Sequence, residues 1–259
     1  MNDKVQCMTL KSDSVDVPNW NKADVLFAKH NVKVTYGKDG TGNLYNPDNI
    51  IQFQNELGGN TADLVTADGG FDYSVDFNKQ EQMSSKLIFC EMICAFAISK
   101  KGGNFVLKIF DVYTKVTVKI LYLLNQYYEE VIITKPHTSR PANSEKYVVC
   151  KSFRGISESQ LNHFYQMIKE WEQYEDKEKK FVSDIGGLVV PKKYLQALQS
   201  YNFYCARQQM VNILKTLSLI EMDVQAQDIH YIKRCQTIFA LEWCKKYGNA
   251  INHMCNHLK

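Results

Sequence analysis

An α/β sheet with helices on both faces, followed by a helical region, is the fold that the sequence predicts. Three observations carry it. Up to Arg154, short β-branched or aromatic runs alternate with longer stretches whose apolar residues recur every three or four positions. Ten of the 13 glycines and four of the five prolines precede residue 156, where turns between strands and helices need them. Beyond Gly155 the pattern is helical almost throughout. The boundary therefore falls near Arg154-Gly155, with a sheet-bearing core over 1–155 and a helical carboxyl-terminal region over 156–259.

Val5 to Leu10 and Val32 to Tyr36 are the first expected strands, brief and bounded by turn residues. Pro47 to Leu57 is a helix, since Pro47-Asp48 suits a first turn and Gly58-Gly59 suits a stop. Strands follow at Asp63 to Ala67, Asn104 to Phe110, Glu130 to Thr134 and Lys146 to Phe153, with helices at Gln80 to Ser99 and Val112 to Tyr128. The later helices are Ser157 to Asp176, Lys192 to Met222 and Asp228 to Tyr247. Ser157 and Gln160 stand at the spacing of a capping box. Tyr194, Tyr201, Phe203 and Tyr204 form an aromatic stripe, read first as packing against the neighbouring domain and second as a base-stacking platform.

Composition excludes several classes of function. The longest strongly apolar stretch, Leu87 to Ser99, is interrupted by Glu91 and is shorter than the roughly 18 to 20 residues a bilayer span needs. Met1 to Gln6 lacks an apolar h-region, so no secretory signal is expected and a cytosolic or nuclear setting follows. The eight cysteines show no CxxC pair and read as reduced structural thiols, with Cys90 and Cys94 facing the core. Lys and Arg number 18 against 17 Asp and Glu in 1–155, and 13 against 11 in 156–259, so there is no basic tail. Nucleic-acid binding would rest on a local, salt-sensitive patch. His253-Met254-Cys255-Asn256-His257 lacks a second clear ligand pair, and no metal site is expected.

Ligands of open α/β sheets bind beyond the carboxyl ends of strands, which directs attention to three runs. DLVTADGGF ends an apolar strand in Asp68, and Gly69-Gly70 lets the backbone turn tightly beside a ligand. GGNFVLKIFD sets Lys108 among Phe105, Val106, Leu107, Ile109 and Phe110. KPHTSRPANSEKYVVC places Glu145 just before the apolar run Tyr147 to Cys150. Asp68 is also a common turn former, and Glu145 with Lys146 suits an ordinary strand edge. A lysine among bulky apolar neighbours is costly unless paired or functional. Two carboxylates and a lysine meeting at adjacent strand ends would bind and deprotonate a hydroxyl.

DLVTADGGF, FVLKIFD and ITKPHTSRPANSEKYVVCK resemble, in order and with compatible spacing, the fourth, sixth and eighth motifs of the FtsJ-like ribose 2′-O-methyltransferases. SRPANSE points to the cap-specific mRNA branch. The likeness runs from about Cys7 to Lys151, and Val75 to Gln82, VDFNKQEQ, is similar to versions found in large DNA viruses. It implies a Rossmann-like class I methyltransferase sheet that takes S-adenosylmethionine and methylates the ribose 2′-hydroxyl of a capped mRNA's first nucleotide. It also implies catalytic roles for Asp68, Lys108 and Glu145, the lysine removing the hydroxyl proton. An unperturbed lysine titrates near ~10.4, so a lysine base requires burial or a neighbouring cation, and the two carboxylates serve orientation.

By the same resemblance Asn43 and Leu44, in GKDGTGNLYNPDNI, contact the cofactor together with Asp68. Relatives often carry aspartate where Asn43 stands, and an amide binds more weakly than a carboxylate. The loop's glycines alone would also allow a phosphate cradle, but no Lys-Ser/Thr opens a helix after it. RNA contacts map to Asn78, Lys79 and Gln80, to Asn143, and to Arg140 as a phosphate partner.

VQCMTLK corresponds to the family's second strand. The family's first strand with its glycine-rich cofactor turn, and the helix bearing the first catalytic lysine, have no counterpart, and Lys4 and Lys11 do not replace that lysine by position. The expectation is therefore a core lacking its amino-terminal first strand, as a fragment of a longer methyltransferase. The alternatives are completion by another chain and a degenerate relative. The functional rivals are a non-catalytic RNA-binding or assembly subunit and an rRNA 2′-O-methyltransferase.

Overall fold

Asn46 begins the first well-formed helix of the computed structural model, its side chain accepting the N–H of Asp48 while Pro47 takes the first helical position. Gly58, at φ 82°, closes that helix in the left-handed conformation that a side chain would resist. The structure describes residues 4–12, 24–29, 32–73, 76–178, 180–221 and 226–256. The element order is β1 (Val5–Met8), α1 (Asp24–Lys29), β2 (Val32–Thr35), α2 (Pro47–Leu57), β3 (Ala62–Ala67), a 3-10 turn (Phe77–Lys79), α3 (Gln80–Ile98), β4 (Ser99–Ile109), α4 (Lys115–Tyr127), β5 (Tyr128–Thr134), β6 (Lys146–Phe153), α5 (Glu158–Glu178), α6 (Lys192–Glu221) and α7 (Ala226–Tyr247).

Two boundaries differ from the sequence expectation by three residues or more, and α1 has no counterpart in it. β4 starts at Ser99 rather than Asn104, running straight out of α3 through Gly102. α4 starts at Lys115 rather than Val112, because Thr114 caps it by accepting the N–H of Thr117 while Glu81 holds the N–H groups of Tyr113 and Thr114. The Ser157–Gln160 capping box forms at α5, each side chain accepting from the other's backbone N–H.

Four strands form one sheet in the order β3-β4-β6-β5. β3 and β4 are parallel; β6 is antiparallel to both β4 and β5. An antiparallel strand begins where its neighbours end. The start of β6 therefore lies beside the ends of β4 and β5, at the end of the sheet where β3 also finishes. β1 and β2 form a separate parallel pair, and no ladder joins the two sheets among the described residues.

One face of the large sheet is closed by the core: Phe105, Leu107 and Ile109 of β4 alternate inward with Val148 and Cys150 of β6. On the other face Val106, Lys108, Tyr147 and Val149 are only half-buried, so the expected cover on both faces is incomplete. α3 is buried nearly all round, which suits a helix that packs on β4 and on α2, α4 and α5. Phe89 and Phe96 meet the α5 rings of Phe164 and Trp171. Lys86 of α3 pairs with Glu172 and Glu175 of α5 and lies over the ring of Tyr45.

The chain divides into compact units Met1–Ala206 and Arg207–Lys259, so α5 and the first half of α6 belong to the unit that holds the sheet. Tyr194 packs edge-on against Tyr122 and Leu198 is buried, whereas Phe203 and Tyr204 are exposed. All eight cysteines are free.

Candidate active site

Strand register places the three expected catalytic residues at one end of the sheet. Ala67 pairs with Leu107, which sets Asp68 beside Lys108 one step further on. Lys108 pairs with Tyr147, and Glu145 immediately precedes β6 at the same end of the sheet. Asp68 and Lys108 meet directly: Nζ lies 2.6 Å from Oδ1 of Asp68 and donates to its backbone carbonyl at 2.9 Å. The amine passes under Gly70, where a Cβ would lie 3.5 Å from Nζ, and approaches the face of Phe110. Glu145 makes no direct contact with that pair; its Oε1 accepts the hydroxyl of Ser139 at 2.9 Å. Tyr147 is the β6 partner of Lys108, its hydroxyl pushed up by burial and then by the charges of Asp68 and Glu145.

Each loop at this end is pinned by a charged side chain. Glu91 of α3 accepts the N–H of Gly69 at 2.8 Å. Glu81, also of α3, accepts the backbone N–H groups of Tyr113 and Thr114 and the Thr114 hydroxyl, which fixes the turn after β4. Lys135 donates to Oδ1 and O of Asn143, to O of Glu145 and to the hydroxyl of Ser139, folding the loop before β6 around one ammonium. Burial and the nearby Lys146 hold the Lys135 amine below the usual lysine range.

The residues mapped to RNA lie on two loops that touch. Gln80 accepts the Ser144 hydroxyl at 2.9 Å, which ties the 77–80 turn to the 135–145 loop. Asn78 and Lys79 are exposed, with Lys79 paired to Asp76. Arg140 is exposed and has no ion-pair partner among the described residues. The side-chain carbonyl of Asn143 is already engaged by Lys135.

Asn43 and Leu44 stand apart from this cluster, in the loop after β2. Asp39 organises that loop by accepting from Thr41 and Asn46, contacts that hold its carboxyl well below the usual range. Oδ1 of Asn43 accepts the N–H of Tyr45. Gly42 permits the loop to rest on the end of β1, since a Cβ there would lie 1.8 Å from the carbonyl oxygen of Thr9. No group of three metal-ligating side chains occurs among the described residues. No helix among them is long and apolar enough to cross a membrane.

A model of the FtsJ-like methyltransferase family matches residues 4–153, more than half of the chain. The chain belongs to the FtsJ-like methyltransferase family. It is similar to proteins named cap-specific mRNA (nucleoside-2′-O-)-methyltransferase 1: 42% identical over 52% of this chain and 19% of the Dictyostelium discoideum protein, and 33% identical over 82% of this chain and 25% of the Bos taurus protein. The chain thus spans a quarter or less of the length of these two relatives. Among solved structures it is similar to one described as a ribosomal RNA methyltransferase from Plasmodium falciparum, at 22% identity and a TM-score of 0.36, over 49% of this chain and 66% of that one.

In this FtsJ-like chain the anchors of the site are not among the residues that stand out in the sequence as site candidates. Lys135, Glu81 and Tyr147 carry no local signal beyond their polarity, because their partners lie in other segments. Glu91 did carry one: it is the single charge in the apolar run Leu87 to Ser99.

Proposed function

We propose that this chain is the catalytic part of an S-adenosylmethionine-dependent mRNA cap (nucleoside-2′-O-)-methyltransferase that methylates the ribose 2′-hydroxyl of the first transcribed nucleotide. The observation that carries the reading is the Asp68–Lys108 pair at a strand end shared with Glu145. The names of the similar proteins support the same chemistry.

The donor set fits a cationic cofactor. Asp68 presents an exposed carboxylate at the end of β3, with one oxygen on Lys108. When bound, S-adenosylmethionine supplies an electrophilic methyl group on a sulfonium. Asn43, Leu44 and Asp68 are the residues assigned to hold it. Lys108, in its neutral form, receives the 2′-hydroxyl proton at Nζ; Asp68 holds the amine in place but favours its charged form, so the base needs an opposing cation nearby, and Glu145, anchored through Ser139, orients the sugar. Asn78, Lys79, Gln80, Arg140 and Asn143 are assigned to the RNA. A capped-RNA substrate sets the protein in the nucleus or cytoplasm.

The edge of β3 away from β4 carries no ladder among the described residues, and Leu64 on that strand is exposed. An added strand between β3 and β1, from a preceding segment or another chain, would join the two sheets and cover that edge.

The test is methyl transfer to RNA capped at its 5′ end, comparing a normal first nucleotide with its 2′-deoxy form. Turnover only on the 2′-hydroxyl substrate is expected, with a loss of ~10²-fold or more for Lys108→Ala. Capped-RNA retention without turnover overturns catalysis in favour of a binding subunit. Equal turnover on uncapped RNA overturns cap specificity.

A further inference from the structure

Glu91 is 6% exposed and lies on a helix that is otherwise apolar around it. Replacing it with Leu or Met would complete that helix, and burying a carboxyl group away from water is costly. Its only hydrogen bond within the described residues is the one from Oε1 to the N–H of Gly69; Oε2 is buried without a partner. Gly69 is suited to this contact, since a Cβ there would lie 2.5 Å from Oε1 and 2.9 Å from Cδ2 of Leu87. The residue before Gly69 is Asp68, whose carbonyl and carboxylate oxygens both hold Lys108. One carboxyl group therefore grips the peptide on which the Asp68–Lys108 pair is mounted.

We propose that Glu91 is a positioning residue of the methyl-transfer site: from inside α3 it fixes the Asp68-Gly69-Gly70 turn and so sets where Asp68 holds the Lys108 amine. The inference rests on the methyl-transfer reading for its purpose, while its geometry is open to measurement without turnover. The groups facing the carboxyl are the Gly69 N–H and Asp68 from the end of β3, Lys108 from β4, and the thiols of Cys90 and Cys94 on its own helix. Burial pushes the carboxyl up to about 7, against the pull of the Gly69 N–H and Lys108. A charge change near neutral pH at the atom that holds Gly69 gives the positioning role a readout in pH.

The experiment compares the whole chain with Glu91→Gln, which keeps an acceptor for Gly69, and Glu91→Met, which keeps the volume and loses the acceptor. Lysines carry 13C at Cε, and Lys108→Arg identifies the Lys108 resonance. Above pH 7 the Gln variant is expected to leave that resonance in place and the Met variant to move it. The wild type is expected to show a step near pH 7 that the Gln variant lacks. An unmoved resonance in the Met variant, or a step that survives in the Gln variant, overturns the proposal.

Single-turnover methyl transfer supplies the second readout. The Met variant is expected to lose ~10- to 100-fold in rate with its KM for RNA unchanged, and the Gln variant to recover most of the loss. An active wild type with an equally active Met variant overturns the positioning role. A wild type without turnover whose Lys108 resonance behaves as expected overturns the methyl-transfer reading and supports the positioning geometry.

Discussion

Gly69 and Glu91, 22 residues apart, approach so closely that the hydrogen bond between them leaves no room for a methyl group on the glycine. The turn at the end of β3 and the middle of α3 consequently act as one piece, and the strand-end cluster inherits the rigidity of the buried helix.

Gly69→Ala tests that closeness. The new methyl would meet Oε1 of Glu91 at 2.5 Å and Cδ2 of Leu87 at 2.9 Å, and both belong to a packed helix that yields little. A loss of about 1–3 kcal/mol in urea unfolding is expected. Gly69→Ala combined with Glu91→Ser should cost less than the two single changes added together, because the shorter side chain removes the closer of the two clashes and gives Leu87 room to shift.

The pH dependence of stability carries a signature of Glu91. Its carboxyl titrates at about 7 in the folded protein against 4.5 as the reference value, so between those limits the folded state keeps a proton that the unfolded state has lost. Stability from this group is therefore full below the lower limit and falls as pH rises through the upper one, by about 3 kcal/mol at most. The stability of Glu91→Gln relative to wild type should rise across the same window in denaturation series. A difference that stays flat with pH would remove the buried carboxyl from the account.

Lys135→Met should loosen the loop before β6 while sparing the core. The ammonium holds four oxygens from three residues of that loop, Ser139, Asn143 and Glu145. Hydrogen bonds to a charged group are worth about 1.5–3 kcal/mol each when broken one-sidedly, so amides of residues 136–144 should exchange at least ~10-fold faster. Core amides of β4 should be unaffected.

Phe96→Ala and Phe203→Ala separate core aromatics from surface ones. Phe96 is fully buried, stacked on Phe153 and packed against Tyr127 and Phe164, and its truncation should cost about 3–5 kcal/mol. Phe203, 74% exposed, should change stability by about 0.5 kcal/mol or less. If Phe203 and Tyr204 stack on bases, their removal would weaken RNA binding with stability intact.

Much of the fold was legible from local chemistry. The Pro47-Asp48 start and Gly58-Gly59 stop of α2, the Ser157–Gln160 box of α5, and the β-branched and aromatic runs of β4 and β6 all depend on neighbours in sequence, and all form. Lys108 stood out for the same reason, as an amine amid apolar neighbours. The β4 and α4 starts were misplaced because they depend on distant groups: α4 begins where Glu81, 33 residues before Thr114, takes up the loop's N–H groups. The aromatic stripe split between half-buried Tyr194 and Tyr201 and exposed Phe203 and Tyr204 because Tyr194, Leu198 and Tyr201 share one face of α6, the face that meets Tyr122, at a helical spacing that leaves 203 and 204 turned away.

Periodicity and capping chemistry settle which residues of this chain become strands and helices, since those choices are made within a few residues by backbone sterics and by the burial of one face. They also place an acid, a lysine and a second acid at strand ends. Which strand lies beside which is another matter. The insertion of β6 between β4 and β5, and the reach of Glu91 and Lys135 across the sheet end, arise from long-range packing that has no period in the sequence. The site's residue types can be read along the chain; their alignment depends on buried charges whose partners become neighbours only once the sheet has formed.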